Sequence, residues 1–244
     1  MSQTQENGPF KARLERVLER IEGAARRAGR DPADVTLVAA AKAVPVACLC
    51  EAVACGCRVF GENRVQEALA KMEALRAYPG LEWHLVGPLQ SNKVKAVVGR
   101  FAMIHAVDRI EVAERLDREV RAHGRIQPIL LEVNVAGEET KHGFGPEALM
   151  GAVERIGSLP GLRVLGLMVV PPAAPSPEDT RPYFRRVREL AARVEARRIP
   201  GVSMMEFSMG MSGDFEVAIE EGATLVRIGT ALFGPRRAGI RFPI

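Results

Sequence analysis

Short runs of apolar residues alternate along the chain with longer stretches in which apolar residues recur every three or four positions. The short runs have no polar face, which is typical of parallel strands that are covered on both sides. The longer stretches predict amphipathic helices that turn one face toward a core. Strands are predicted for residues 36–42, 58–60, 83–87, 103–107, 129–135, 164–169, 203–207 and 224–228.

Helices are predicted between consecutive strands and also before the first strand, over residues 10–28. Asp108 is predicted to cap the helix after the fourth strand, and Glu111 would complete a capping box. Strands that alternate with helices in this way predict an α/β fold, namely a single (β/α)8 TIM barrel with an extra N-terminal helix. One domain then spans residues 1–244, with residues 1–9 disordered.

The composition is ordinary for a soluble globular protein, with 47% hydrophobic and 26% charged residues. No apolar run approaches the roughly 18 residues of a membrane span. The polar N-terminus lacks the apolar stretch of a signal peptide, so we expect a cytoplasmic protein without a membrane partner. The net charge of +4 and the short arginine clusters near Arg185 and Arg236 give little support to a specific nucleic-acid partner. A closed barrel with its own covering helix is expected to be a monomer.

Four cysteines fall within ten residues, at Cys48, Cys50, Cys55 and Cys57. The spacing is C-x-C-x4-C-x-C rather than paired C-x2-C, and no histidine lies nearby. On a helix the four thiols do not converge on one point. We therefore predict buried free thiols and no metal site.

Lys42 stands at the end of the first predicted strand, and the other lysines fall in amphipathic helices, in a polar stretch or in a loop. Burial favours the uncharged form of an amine, which is the nucleophile that forms an imine with an aldehyde. The alternative is that Lys42 snorkels from the strand end into solvent.

Two loops that follow the last two strands, residues 208–213 and 229–234, are rich in glycine and hydroxyl residues. Phosphate often binds at this position of a TIM barrel, where backbone N–H groups point at the anion. The alternative is that Gly210 and Gly213 only make tight turns. Arg227 lies within an apolar strand and needs an acceptor if it is buried. A lysine beside a phosphate site suits a phosphorylated aldehyde, either pyridoxal 5'-phosphate or the sugar phosphate of a Schiff-base aldolase.

Several longer motifs follow one another along nearly the whole chain. They are L37-V-A leading to K42, F60-G-E-N with V65-Q-E, W83-H, G87-P-L-Q-S-N-K, L131-E-V-N, G166-L-M, S208-M-G-M-S and R227-I-G-T-A-L-F-G. With these motifs the chain resembles the pyridoxal phosphate homeostasis proteins, whose barrel is similar to the N-terminal domain of alanine racemase.

The resemblance implies that Lys42 holds pyridoxal 5'-phosphate as a Schiff base and that Arg227 faces the pyridine nitrogen. It further implies a set of residues around the phosphate and the rest of the pocket. These are Ser208, Gly229 and Thr230 with the backbone of Met209 and Gly210 at the phosphate, and Asn63 and His84 along the pocket wall. Ala41 and Arg64 depart from the residues frequent in this family, which puts fine cofactor contacts in question.

The resemblance implies a carrier or regulator of intracellular pyridoxal 5'-phosphate, in vitamin B6 homeostasis, that passes the cofactor to apo-enzymes. An arginine at the pyridine nitrogen weakens the ring as an electron sink. Racemases of the related fold use a tyrosine from a second domain, which we do not expect here, and Tyr78 and Tyr183 fall in predicted helices. No dedicated catalytic turnover is therefore predicted. The alternative is an amino-acid racemase or lyase with water or His84 as the second acid–base.

Overall fold

The computed structural model describes residues 9–138 and 142–235. Of the segment 1–9 that was predicted to be disordered, residues 1–8 lie outside the described residues, and Pro9 is the first residue of a helix. Within these ranges eight parallel strands close into one barrel in sequence order. The predicted TIM barrel is confirmed. The strands are β1 (Thr36–Ala40), β2 (Val59–Glu62), β3 (Glu82–Leu85), β4 (Met103–Val107), β5 (Gln127–Glu132), β6 (Leu162–Met168), β7 (Val202–Met211) and β8 (Leu225–Ile228).

Helices surround the barrel and connect its strands. They are α1 (Pro9–Arg27), α2 (Val46–Ala54), α3 (Val65–Ala74), α4 (Val94–Val97), α5 (Ile110–Ala122), α6 (Pro146–Gly157), α7 (Arg181–Glu195), α8 (Phe215–Glu220) and α9 (Thr230–Phe233). Short 3-10 helices span Pro32–Asp34, Ser91–Lys93 and Pro177–Thr180. None of the helices in the described part of the chain has the length and apolarity needed to cross a bilayer.

The extra helix α1 is the predicted helix before the first strand, and it packs beside the end of the barrel sequence. The Phe10 ring lies 5.3 Å from the Phe233 ring, centroid to centroid. Arg20 forms an ion pair with Glu216 at 2.6 Å. Helix α1 therefore ties the start of the described chain to α8 and α9, next to β8.

Two apolar layers explain why the strands lack a polar face. The outer layer lies between strands and helices and includes Phe60 stacked on Trp83, with centroids 5.3 Å apart. The inner layer fills the barrel, and its buried members are Val38, Val86, Ala106, Leu130, Met168 and Leu225. Apolar residues on both faces are what a parallel sheet under helices requires.

Several predicted boundaries are wrong, and three of them bear on the site. Strand β1 ends at Ala40, so Lys42 lies beyond the strand. Strand β7 continues to Met211, because its pairing with β6 and β8 continues past Phe207. Asp108 does not cap α5, since the N-cap residue is Arg109 and no side chain bonds to the helix N-terminus there.

The four cysteines are free thiols around α2. Cys57 is buried, as predicted, and burial raises the pKa of its thiol to about 11. Cys48, Cys50 and Cys55 are only half-buried, so the expectation of buried thiols is correct for one of the four. In the described ranges no three His, Cys, Asp or Glu side chains are grouped to hold a metal ion.

Candidate cofactor site

Lys42 lies in a tight turn at the carboxyl end of β1, the end of a TIM barrel where active sites are built. The Val44 N–H donates to the Ala41 carbonyl at 2.9 Å and closes the turn. Ala43, inside the turn, has φ +58°. Lys42 is exposed, so the predicted burial of this side chain in a strand is wrong. The alternative, a lysine that extends from a strand end into solvent, describes its position.

Backbone amides of the loop after β8 converge on one hydroxyl from the loop after β7. The N–H groups of Gly229 and Ala231 donate to Ser212 Oγ at 3.3 Å and 3.2 Å. Thr230, between them, is exposed at the start of α9. Two amides that point at one place, with hydroxyl groups beside them, suit a phosphate group. We call Ser212, Gly229, Thr230 and Ala231 the amide cradle.

The amide cradle and Lys42 belong to neighbouring strands. Strand β1 pairs with β8, and Ala39 is level with Ile228. Ala40 is therefore level with Gly229, and Lys42 follows two residues later. The fold brings together the lysine and the glycine-rich loop that the sequence predicted for one site.

Ser208 lies deeper in the barrel than the cradle. It pairs with Leu225, which precedes Gly229 by four residues, or about 13 Å of extended strand. Its fully buried hydroxyl contacts His105 Nδ1 at 2.8 Å and Arg227 Nη1 at 2.5 Å. The contact of Ser208 with the same phosphate as Gly229 stays a prediction, and in this structure its hydroxyl is engaged by Arg227 and His105 instead. Ser212, four residues later in the same motif, lies beside the Gly229 and Ala231 amides.

The other two predicted residues of this motif belong to β7 itself rather than to a loop. Met209 is fully buried in the outer layer. Gly210 has φ +91°, and a Cβ there would lie 2.6 Å from the Ala218 Cβ of α8. The close approach of α8 requires glycine at this position. Tight packing against α8 thus accounts for Gly210, whereas the alternative interpretation proposed a tight turn at this position.

Arg227 points into the barrel and is held by three hydrogen bonds to the wall. Its Nη1 donates to the Ser208 carbonyl at 2.6 Å and to Ser208 Oγ, and its Nη2 donates to the Val169 carbonyl at 2.8 Å. Burial lowers the pKa of Arg227 to about 10, and Glu132 and Asp214 oppose that shift. The guanidinium therefore remains charged at neutral pH.

A pair of buried histidines extends this polar chain. His105 Nε2 lies 2.9 Å from His84 Nδ1, and His105 Nδ1 contacts Ser208. Burial lowers the pKa of His84 to about 4. Burial, together with His84 and Arg227, also holds the pKa of His105 well below its usual value. Both imidazoles are neutral at pH 7, and His105 was not predicted from the sequence.

Asn63 follows β2 directly and is half-buried at the same end of the barrel. Its N–H donates to Glu62 Oε2 at 3.2 Å. Its backbone lies against Gly87, where a Cβ would come within 2.4 Å of the Asn63 carbonyl oxygen. Asn63 is thus placed near the ends of β2 and β3, where the prediction put it along a pocket wall.

Two buried carboxylates lie at the ends of β4 and β5. Val107 is level with Leu131, so Asp108 and Glu132 are neighbours across the two strands. Asp108 Oδ2 contacts His142 Nδ1 at 3.0 Å, whereas Asp108 Oδ1 and Glu132 Oε2 have no hydrogen-bond partner among the residues that the structure describes. Desolvation, followed by the charge of Asp108, raises the pKa of Glu132. Neither carboxylate was predicted to belong to the site.

Lys71 and Glu62 form a buried ion pair behind the Lys42 turn. Lys71 Nζ contacts Glu62 Oε1 and also donates to the Ala41 carbonyl at 2.7 Å. The sequence places Lys71 only in an amphipathic helix, because the helical spacing of Val65, Leu69 and Met72 predicts an inner stripe without it. The buried face instead carries Val65, Ala68, Lys71 and the C-cap residue Leu75.

The geometry agrees with what comparison with known proteins shows. A family model described as alanine racemase, N-terminal domain, matches residues 13–237. The chain belongs to this family. Two relatives named pyridoxal phosphate homeostasis protein are similar over nearly their full lengths. The protein of Aquifex aeolicus is 52% identical over 92% of this chain and 97% of its own. The protein of Pseudomonas aeruginosa is 44% identical over 93% of this chain and 95% of its own length. The predicted resemblance is confirmed.

Comparison with solved structures also finds barrels that are similar to this one. PipY of Synechococcus elongatus PCC7942, in a structure with PLP bound, is 40% identical, with a TM-score of 0.78 over 89% of this chain and all of PipY. Alanine racemase of Clostridium difficile 630 is 15% identical, with a TM-score of 0.68. That match covers 93% of this chain and 58% of the racemase, and it shows the fold alone.

Proposed function

We propose that this protein binds pyridoxal 5'-phosphate at the barrel mouth and carries or regulates the intracellular supply of this cofactor, without dedicated catalytic turnover. The observation that carries the proposal is the position of Lys42 beside the amide cradle on neighbouring strands. An amine next to converging backbone N–H groups suits a ligand with one aldehyde and one phosphate. The relatives' name and the PLP bound to PipY support the same ligand.

In this proposal each part of the site contacts one part of the cofactor. Lys42 holds it covalently through its amine, and the amide cradle binds the phosphate. Arg227 faces the pyridine nitrogen, while Asn63 and His84 line the pocket. Ser208 supports Arg227 through its hydroxyl and carbonyl instead of gripping the phosphate. When bound, the cofactor supplies an aldehyde that exchanges between amines, which is the chemistry a carrier needs.

The site is better suited to holding the cofactor than to proton transfer. Turnover of an amino acid needs a second acid–base group with a pKa near the working pH. Burial lowers the pKa of His84 to about 4, so at neutral pH this histidine is unprotonated, cannot serve as the acid, and is a weak base. Tyr78 lies in the turn between α3 and β3, at the amino end of that strand, and not in a helix as predicted. Tyr183 lies in α7, as predicted.

Borohydride reduction of the cofactor-loaded protein, followed by peptide mapping, tests the covalent contact. We expect the label on the peptide that contains Lys42. Lys42→Ala should remove the label and the yellow colour, whereas Lys95→Ala, an exposed lysine on α4, should retain both. A label that persists in the Lys42→Ala protein would overturn the assignment.

Two further measurements separate a carrier from an enzyme. The loaded protein should restore activity to an apo-enzyme that depends on pyridoxal 5'-phosphate, and it should form no D-alanine from L-alanine beyond a residual rate. Robust racemisation would favour the racemase alternative. Titration with duplex or single-stranded nucleic acid at physiological salt is expected to show no specific binding.

The single-domain organisation over residues 1–244, the monomeric state and the cytoplasmic location stay predictions. Light scattering of the purified protein at several concentrations tests the oligomeric state. We expect one species with the mass of one 26.5 kDa chain. A mass twice as large would contradict the monomer.

A further inference from the structure

Lys71 and Glu62 form an ion pair that is almost fully removed from water, with side-chain exposures of 5% and 0%. Desolvation raises the pKa of Glu62, and the hydrogen bond and charge of Lys71 oppose that shift. Burying two charges is costly, and a buried pair often stabilises a fold no better than apolar residues of similar size. The pair therefore calls for a reason beyond general stability.

The reason lies in what else Lys71 contacts. Its ammonium donates to the carbonyl of Ala41, the residue directly before Lys42. The same carbonyl accepts the N–H of Val44, so it is the acceptor that closes the Lys42 turn. The Ala41 N–H donates in turn to the Gly61 carbonyl of β2. Ala41, the residue that precedes Lys42, is thus held at both its N–H and its carbonyl.

The Lys42 turn is strained and needs such support. Ala43 adopts φ +58°, a left-handed conformation that is unfavourable for a residue with a Cβ. Backbone strain of this kind persists where the surrounding structure over-determines the conformation, and it concentrates at functional sites. Lys71, fixed by Glu62, supplies one of the contacts that over-determine this turn.

We propose that Lys71, held by Glu62, is a positioning residue that fixes the turn presenting Lys42 to the cofactor. The inference rests on the proposed function, since it assigns Lys71 a part in the covalent contact at Lys42. Lys71 contacts the Lys42 turn at the Ala41 carbonyl, from α3 on the outer side of the barrel wall. It should therefore affect the covalent link and leave the phosphate contact intact.

The double variant E62Q/K71M tests this separation, because it removes both charges together and leaves no uncompensated one. Two ligands are compared: pyridoxal 5'-phosphate, and pyridoxine 5'-phosphate, which carries the same ring and phosphate but no aldehyde. We expect affinity for the aldehyde to fall by about tenfold or more, with pyridoxine 5'-phosphate bound within about twofold of wild type. Borohydride trapping at Lys42 should fall in parallel. The matched control is E15Q/K11M, which neutralises an exposed ion pair on α1.

Each other outcome is decisive. If the double variant weakens the binding of both ligands equally, the pair only supports the fold. If its affinity for pyridoxal 5'-phosphate is unchanged, the turn does not depend on Lys71. Either result overturns the proposal. A wild-type protein that binds neither ligand would instead refute the proposed function itself. If E62Q/K71M does not fold, Glu62→Asp replaces it, because the shorter carboxylate keeps both charges paired and draws the Lys71 ammonium away from the Ala41 carbonyl. This variant should show the same difference between the two ligands.

Discussion

Ser212 Oγ lies 3.3 Å from the amide nitrogen of Gly229 and joins the loops that follow β7 and β8. Ser208, four residues earlier in the same motif, instead directs its hydroxyl to Arg227 and His105 inside the barrel. Both serines belong to the glycine-rich segment, yet their environments differ. In the proposed function Ser212 contacts the ligand, and Ser208 stabilises the barrel interior.

Alanine at these two serines should therefore give opposite results. Ser212→Ala removes a hydroxyl from the proposed phosphate site and should weaken pyridoxal 5'-phosphate binding by about tenfold, with little change in the free energy of unfolding. Ser208→Ala leaves the buried Arg227 and His105 each short of a partner and should cost about 1–3 kcal/mol of stability. Urea unfolding and fluorescence titration of both variants give the two quantities. The assignment fails if Ser208→Ala weakens binding more than Ser212→Ala in proteins of equal stability.

Gly210 and Gly213 form a second matched pair. A Cβ at Gly210 meets the Ala218 Cβ at 2.6 Å and the Phe215 Cα at 2.9 Å, and φ is +91°. Gly210→Ala should lower the free energy of unfolding by about 2–4 kcal/mol, because steric overlap and backbone strain add. Nothing lies within 4 Å of a Cβ at Gly213. Gly213→Ala should stay within about 0.5 kcal/mol of wild type in the same urea titration. Similar losses for both would refute the packing account.

The architecture follows from the sequence because burial on both faces leaves a simple signal in every strand. The run at β4 matches its predicted bounds, and each of the eight strands was found. Strand ends are less well determined, because hydrogen bonding to neighbouring strands sets them. Strand β7 extends to Met211 since β6 and β8 continue to pair with it, and an apolar pattern does not report that pairing.

The site was predicted in outline and missed in its details. The glycine-rich loop and Lys42 signal their roles through residue type. Ser208 and Ser212 do not differ in residue type, and only the depth in the barrel separates them. His105 stands within the apolar run of β4, and a polar residue in such a run indicates a buried functional group, as it does for Lys42. Burial of Lys71 was not predicted, because a lysine on an amphipathic helix ordinarily lies on the solvent face.

The buried histidines should make stability depend on pH. The pKa of His84 falls from 6.5 to about 4 on folding, so between these values the unfolded chain binds more protons than the folded one. Stability should therefore fall as the pH decreases through this window, by up to about 1.4 kcal/mol per pH unit from this group. His84→Asn should reduce the pH slope of the unfolding free energy, measured by urea titration between pH 4 and 7.

Groups around His84 do not mask this effect. His105 shifts in the same direction, and Glu82, at 4.0 Å from His84 Nε2, is mostly exposed. Carboxyl groups contribute equally to wild type and variant, so the difference between the two slopes isolates the histidine. His123→Asn, at an exposed position after α5, is the control and should leave the slope unchanged. Identical slopes for wild type and His84→Asn would contradict the assignment of a neutral, buried imidazole.

Glu132 should behave in the opposite sense. Desolvation and Asp108 raise the pKa of this carboxyl above 4.5, so the folded state holds its proton more tightly than the unfolded chain. Its contribution to stability is present at acid pH and is lost as the pH rises through the folded-state pKa. Glu132→Gln should therefore raise the free energy of unfolding at pH 8 by about 1 kcal/mol, the scale on which one desolvated polar group acts. The gain should disappear at pH 4, where the carboxyl is protonated in both states.

Glu154→Gln, at an exposed site on α6, should show no such pH-dependent gain. A loss of stability in Glu132→Gln at pH 8 would instead indicate that attraction to Arg227 outweighs desolvation.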